Sequence, residues 1–220
     1  MKLNRNDLCW CGSQKKYKKC HLAFDEKLEQ LKQQGKKIPT HKMIKTPEQI
    51  EGIKKAAVIN SGLLDYIEAN IKVGMTTEEI DVMAKEYTAK YGAVCADYQY
   101  MGYPKHICVS INDVVCHGIP NEQTILQEGD IVNVDATTML NGYYADASRM
   151  FMIGKVSNEA KKLVSDTKKA LELGMASVIP YQSCVGDIGK AIETFIIVGA
   201  DKMSSMVNYQ DRATCPIFGD

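Results

Sequence analysis

Residues 131–151 read Ile-Val-Asn-Val-Asp-Ala-Thr-Thr-Met-Leu-Asn-Gly-Tyr-Tyr-Ala-Asp-Ala-Ser-Arg-Met-Phe, and no other stretch leaves the backbone so little choice. Alternating apolar residues from Ile131 to Asp135, and the aromatic and polar mix from Tyr143 to Phe151, suit two strands. Asn141-Gly142 between them is the strongest short hairpin signal, because both central residues of a type I′ turn need positive φ. That turn predicts a register: Leu140 opposite Tyr143, Thr137 opposite Asp146, Asp135 opposite Ser148. With a side-chain period of two, Asp135 and Asp146 then share one sheet face as diagonal neighbours, roughly 7–8 Å apart at the backbone. A solvated surface hairpin would carry the same aspartates. Val132, Val134 and Met150 to Ile153 make this one too apolar to lie open in water.

Two carboxylates so placed can converge on divalent ions about 3.5–4 Å apart, the arrangement of two-metal hydrolases. Such a centre needs several carboxylates and usually a histidine, to neutralise charge and fix geometry. The histidines are His21, His41, His106 and His117, and none follows His117. The aspartates therefore read as part of a ligand set.

Further segments accompany the hairpin in a fixed order: Gly102-Tyr103-Pro104-Lys105, Cys108-Val109-Ser110-Ile111-Asn112, Val114-Val115-Cys116-His117-Gly118-Ile119-Pro120, Gly129 to Asp135, and Asp146-Ala147-Ser148-Arg149-Met150-Phe151. Over residues 43 to about 194 the chain resembles type I methionine aminopeptidases, the pita-bread metallopeptidases that remove the initiator methionine from new proteins. The resemblance implies an α+β, pita-bread (creatinase/aminopeptidase) fold, first half only, preceded by a small zinc knuckle. It implies that Asp135 chelates one metal ion and Asp146 bridges two, the ions being Co, Mn, Fe or Zn. His117 falls on the histidine that contacts the scissile peptide and stabilises the tetrahedral intermediate. Tyr100, Tyr103 and Cys108 fall on the wall of the methionine pocket; ordinary loop packing and a buried strand thiol are the plain alternatives. The family's further metal-binding histidine, in a His-Gly-Ile-Gly motif after the residue matching Glu193, and two later glutamates have no match here. Residues 195–220 show no family likeness, which suggests a truncated product with impaired activity.

Composition is consistent with a globular enzyme. The chain of 220 residues is 45% hydrophobic, room enough for a sizeable core. It shows no run long enough to cross a bilayer and no apolar signal core at its N-terminus, so the expected place is the cytoplasm, with no membrane partner. There its eight cysteines are expected to stay reduced or bind metal.

The formal net charge is zero, yet residues 1–45 carry 12 Lys or Arg against 4 Asp or Glu, which suggests two units with different work. The first unit, residues 1–22, contains Cys9-Trp10-Cys11 and Cys20-His21. Three thiolates and one imidazole complete a tetrahedral structural zinc site, and the surrounding residues resemble the SEC-C zinc motif. So short a unit could hardly fold without its metal. Lys15, Lys16, Lys18 and Lys19 flank Tyr17; such a cluster suits RNA phosphate or an acidic protein surface, and equally a merely solvated cationic face. An enzyme acting on nascent polypeptide N-termini would gain from tethering to the ribosome. The competing readings are a catalytically inactive zinc-knuckle adaptor that binds the ribosome or a protein partner, and another pita-bread peptidase such as a prolidase. The latter is disfavoured by Tyr100, Tyr103, Cys108 and the Cys-His-Gly-Ile-Pro segment.

The remaining pattern places a helical, basic linker over residues 23–42, broken by glycine and proline near Gly35 to Thr40, then the peptidase-like domain over 43–194 and a divergent tail over 195–220. Thr46-Pro47-Glu48-Gln49 and Thr76-Thr77-Glu78-Glu79 are capping boxes that open two helices, the second ending before Gly92. Strands are expected at Cys108–Ile111, Val114–Cys116, Ile131–Ala136 and Tyr143–Ile153. A long helix from Asn158 to about Val178 and a last one from near Gly186 follow. One sheet face should lie partly uncovered.

Overall fold

A computed structural model describes residues 3–180 and 182–200. Helix α1 (Leu22–Gln33) follows the N-terminal cysteine cluster. Helices α2 (Pro47–Asn70) and α3 (Thr77–Lys90) open on the two expected capping boxes. In α2 the Gln49 amide donates to Thr46 Oγ1 at 3.2 Å while the Thr46 amide donates to Gln49 Oε1 at 2.8 Å. Each box satisfies two amides that a helix start leaves unpaired. Past the end of α3, Gly92 takes φ +68, the left-handed turn that glycine supplies without a Cβ clash.

The sheet is built on the hairpin. Strands β3 (Ile131–Leu140) and β4 (Tyr143–Met152) pair antiparallel along their whole length in the expected register, Thr137 opposite Asp146 and Asp135 opposite Ser148. Asn141 and Gly142 sit at φ 51 and 81, as a type I′ turn requires. On the other edge of β3, strand β2 (Cys108–Ile111) pairs with residues 132–135 and the two-residue β1 (Val94–Cys95) with 138–139, both antiparallel. β1 is too short to leave a periodic signal in the sequence.

One face of this sheet is closed by helices. Val132, Val134, Ala136 and Thr138 alternate inward along β3, and they meet Leu63, Leu64 and Ile67 of α2, Ile80 and Ala84 of α3, and Ile107, Val109 and Phe151. Burying each large aliphatic side chain contributes about 1.5–3 kcal/mol. Asn60, buried in the same layer, donates to the Ala136 carbonyl at 3.0 Å and accepts from the Thr138 hydroxyl at 2.7 Å, so its amide is satisfied.

The expected strand at Val114–Cys116 does not form. The chain turns at Asn112, which takes φ 49, and returns along β2 so that the Val109 amide donates to the Gly118 carbonyl at 2.9 Å. That return occupies the free edge of β2. The two valines, lacking a partner strand, stay exposed on the intervening loop.

The chain divides into two compact units after Asn158. The second contains α4 (Asn158–Ala176) and α5 (Val185–Ala200). Gly174 of α4 lies so near Ile188 and Ile192 that a Cβ there would stand 2.9 Å from the Ile192 side chain. Most of the proposed tail, residues 201–220, lies outside the described residues.

Candidate active site

The sheet face turned away from the helices carries Asn133, Asp135, Thr137 and Met139 of β3, opposite Met150, Ser148, Asp146 and Tyr144 of β4. From the other side β2 places Cys108 directly opposite Asp135. Directly opposite residues share a face. The residue expected in the pocket and an aspartate expected to bind metal thus become neighbours through strand pairing, a relation encoded in neither segment alone.

Asp135 is half-buried, and its carboxyl is held above the usual range first by burial, then by the charges of Asp146 and Asp97, with His117 pulling the other way. Asp97, on the loop after β1, is likewise raised by burial; its hydrogen bond from the Thr137 amide opposes the shift and Asp146 adds to it. Asp135, raised in part by the charges of Asp146 and Asp97, lies on a face that a cation would stabilise. The hard oxygen donors suit a divalent ion. Among the described residues, however, the aspartate pair does not gather three or more ligand atoms at one point. Asp97 escaped sequence reasoning, since a lone acid in a loop carries no signal.

The histidine loop is fixed by backbone. Gly118 N donates to Ser110 Oγ at 3.1 Å, and a Cβ on Gly118 would stand 2.1 Å from the Val109 carbonyl oxygen, so only glycine permits this approach. His117, beside it, takes φ 56, a conformation that non-glycine residues adopt at an energetic cost, recurrent at functional sites. His117 is exposed and close enough for its charge to act on Asp135.

Tyr103, Cys108 and Gly118 meet. The Tyr103 hydroxyl donates to the Ile107 carbonyl at 3.0 Å and lies 3.5 Å from that of Gly118. Burial pushes the Cys108 thiol up, against a hydrogen bond with Tyr103. The sulfur is therefore a neutral, polarizable wall at neutral pH rather than a nucleophile. Tyr100 stands apart, flanked by Gln99 at φ 67 and Met101 at φ 48. It lines a cavity of about 430 Å³ with Asp97, Thr137, Met139 and Tyr144. A buried anchor holds the loop between them: Asp81 of α3 accepts from the His106 amide at 2.7 Å, the Ile107 amide at 3.1 Å and His106 Nδ1 at 2.7 Å.

At the N-terminus Cys9, Cys11, Cys20 and His21 bring their ligand atoms within 4.8 Å of one another. Cys11 Sγ and Cys20 Sγ are 3.6 Å apart, and His21 Nδ1 lies 3.2 Å from Cys9 Sγ and 3.1 Å from Cys20 Sγ. Metal–sulfur bonds of about 2.3 Å put tetrahedral thiolates roughly 3.8 Å apart, so the cluster fits one ion. Burial opposes it, but hydrogen bonds from Ser13, Cys9 and Cys20 draw the Cys11 thiol down to about 6. Asp25 of α1 ties the knuckle to the linker, accepting from Trp10 Nε1 at 2.9 Å and from the Tyr17 hydroxyl at 2.7 Å, with His41 Nε2 at 3.1 Å. Tyr17 is thus buried while Lys15, Lys16, Lys18 and Lys19 are exposed. The surface of the knuckle is cationic without a stacking ring.

A helix-backed antiparallel sheet with paired aspartates on its open face is the architecture of a metallopeptidase half-site. The profile of metallopeptidase family M24 matches residues 51–209 and that of the SEC-C motif residues 5–23. The chain belongs to metallopeptidase family M24. It is 40% identical over 198 residues to the methionine aminopeptidase of Chlamydia trachomatis, spanning 87% of this chain and 66% of that protein. The methionine aminopeptidase of Escherichia coli K12 is 40% identical over 154 residues, 70% of this chain and 58% of its own length. The crystal structure of the Rickettsia prowazekii methionine aminopeptidase superposes with a TM-score of 0.69 at 37% identity, covering 71% of this chain and 62% of that one. Aminopeptidase P of Escherichia coli, at 17% identity and a TM-score of 0.65, shares the fold. The expected α+β pita-bread class is the observed one. The chain spans a little under two thirds, or less, of the length of these curated relatives.

Proposed function

We propose that this chain is a methionine aminopeptidase-type hydrolase that removes the N-terminal methionine of newly made polypeptides, with Asp135 and Asp146 as its contribution to a two-metal centre. The observation that carries the reading is the hairpin register, which sets both aspartates on one sheet face with Cys108 opposite Asp135. Bound metal ions would supply a hydroxide near neutral pH and polarise the substrate carbonyl. Asp135 and Asp146 would hold these ions. His117 holds the scissile peptide and steadies the negative charge of the tetrahedral intermediate, while Tyr100, Tyr103 and the neutral Cys108 receive the methionine side chain. The other histidines are committed elsewhere: His21 to the cysteine cluster, His41 to Asp25 and His106 to Asp81. With Asp135 and Asp146 as its assigned ligands, the site is expected to hold metal weakly and turn over slowly.

Zinc at Cys9, Cys11, Cys20 and His21 holds the knuckle, whose exposed lysines dock on the ribosome by charge alone. The reading places the protein in the cytoplasm. Hydrolysis of a Met-Ala-Ser peptide with added manganese or cobalt tests the enzymatic part. Slow turnover abolished by Asp135→Ala is the expected result. Turnover indifferent to Asp135→Ala, or none at any metal concentration, would overturn it.

A further inference from the structure

Asp97 has no part in the proposed metal centre, yet it shares a partner with Asp146. Thr137 stands opposite Asp146 in the hairpin, and its hydroxyl lies 3.2 Å from Asp146 Oδ1. On the other side the Thr137 amide donates to Asp97 Oδ2 at 3.1 Å, and the same hydroxyl is 3.4 Å from Asp97 Oδ1. The Ala96 amide donates to the Thr137 carbonyl at 2.7 Å, so the loop that carries Asp97 is pinned to β3 by backbone as well.

A threonine hydroxyl has one proton and free rotation. It can donate to only one of the two carboxylates at a time, so Asp97 competes with Asp146 for it, and Asp97 is the more firmly seated of the two. It is partly buried and bonded to an amide, whereas Asp146 lies exposed on β4. The terminal torsion of an aspartate is soft. A carboxylate that is to hold metal must nevertheless keep its oxygens turned one way. Something must hold the Asp146 carboxylate in one rotation, and the Thr137 hydroxyl is the hydrogen-bond donor the structure gives it.

We propose that Asp97 is a positioning residue, which through competition for the Thr137 hydroxyl sets the rotation of the Asp146 carboxylate and so the affinity of the hairpin for divalent ions. The affinity rests on the metal-centre reading; the rotation does not. The alternative is that Asp97 acts only as a nearby negative charge, and a double-mutant cycle separates the two. A through-space charge acts with or without Thr137; positioning through Thr137 requires its hydroxyl.

The experiment measures Mn²⁺ affinity and, in metal-free protein, the ¹³C resonance of the Asp146 side-chain carboxyl. The proteins are wild type, Asp97→Ala, Thr137→Val and the double variant, with the amide spectrum reporting that each is folded and Asp97→Asn standing in if Asp97→Ala is not. Thr137→Val is expected to weaken Mn²⁺ binding about tenfold, the scale on which groups behind a metal ligand act, and Asp97→Ala, which leaves the hydroxyl proton to Asp146 alone, to tighten it several-fold. Asp97→Ala should add nothing in the Thr137→Val background. The metal-free Asp146 resonance should move in both single variants. Weakening by Asp97→Ala, an equal effect of it in both backgrounds, or an unmoved Asp146 resonance, would overturn the proposal. If Mn²⁺ binding is indifferent to Asp146→Ala, the metal-centre reading fails, while the metal-free resonance still decides the positioning.

Discussion

At the scale of residues, the aspartate hairpin stores a conflict. Asp135 has its carboxyl raised by burial and by neighbouring negative charge. A carboxyl raised in the folded chain contributes stability fully below its unfolded value near 3.8, and that contribution is lost as pH rises through the higher folded value. Asp135→Asn removes the charge and keeps the shape. In metal-free protein it should raise Tm by a few degrees at pH 7 and leave it nearly unchanged at pH 3, measured by thermal unfolding. Such a cost in stability is the trade expected of the metal ligand proposed for this position. The aspartates were legible in the sequence because the turn residues beside them set their register. Asp97 and Asp81 were not, because a single acid in a loop or on a helix acquires its meaning only from the segment that folds against it. The burial of Tyr17 was likewise not legible from the lysines on both sides of it; Asp25 draws its hydroxyl inward.

Among the elements, the hairpin and the capped helices could be read because each is specified locally, by Asn141-Gly142 and by Thr46 with Gln49 and Thr76 with Glu79. Val114–Cys116 is the counterexample. Its β-branched residues have strand propensity, but propensity is realised only against a partner, and the Gly118 segment takes that edge of β2. Thr138 and Asn60 show a different illegibility. A polar pair in an apolar layer looks like an error until the two side chains are found 2.7 Å apart. Asn60→Ala would strip the partner from the Thr138 hydroxyl, while the Ala136 carbonyl keeps its place in the ladder with β4. An unmet buried group costs about 1–3 kcal/mol, and chemical denaturation should show a loss of that size. An unchanged midpoint would mean the pair does not tie α2 to the hairpin.

Across the whole molecule, the uneven charge pointed to a basic N-terminal unit beside a peptidase-like domain; the cysteine cluster forms as its ligand pattern suggested, while residues 1–158 make one compact unit. The division after Asn158 was not foreseen, since no break in composition marks it. Metal should be held at the knuckle in one equivalent, lost on Cys9→Ser, and released on acidification, because protons compete for the ligands. A colorimetric chelator assay of released zinc checks all three. The sheet face bearing Asp135 and Asp146 is left open by the described residues, and the proposed function stands or falls on divalent metal binding there. A Mn²⁺ titration of the zinc-loaded protein, followed by paramagnetic broadening of assigned resonances, decides it. Broadening should begin at Asp135, Asp146 and their strand neighbours Cys108 and Thr137, and vanish in the Asp135→Ala/Asp146→Ala double variant. Broadening that starts elsewhere, or that survives the double substitution, would show that the hairpin is not a metal site.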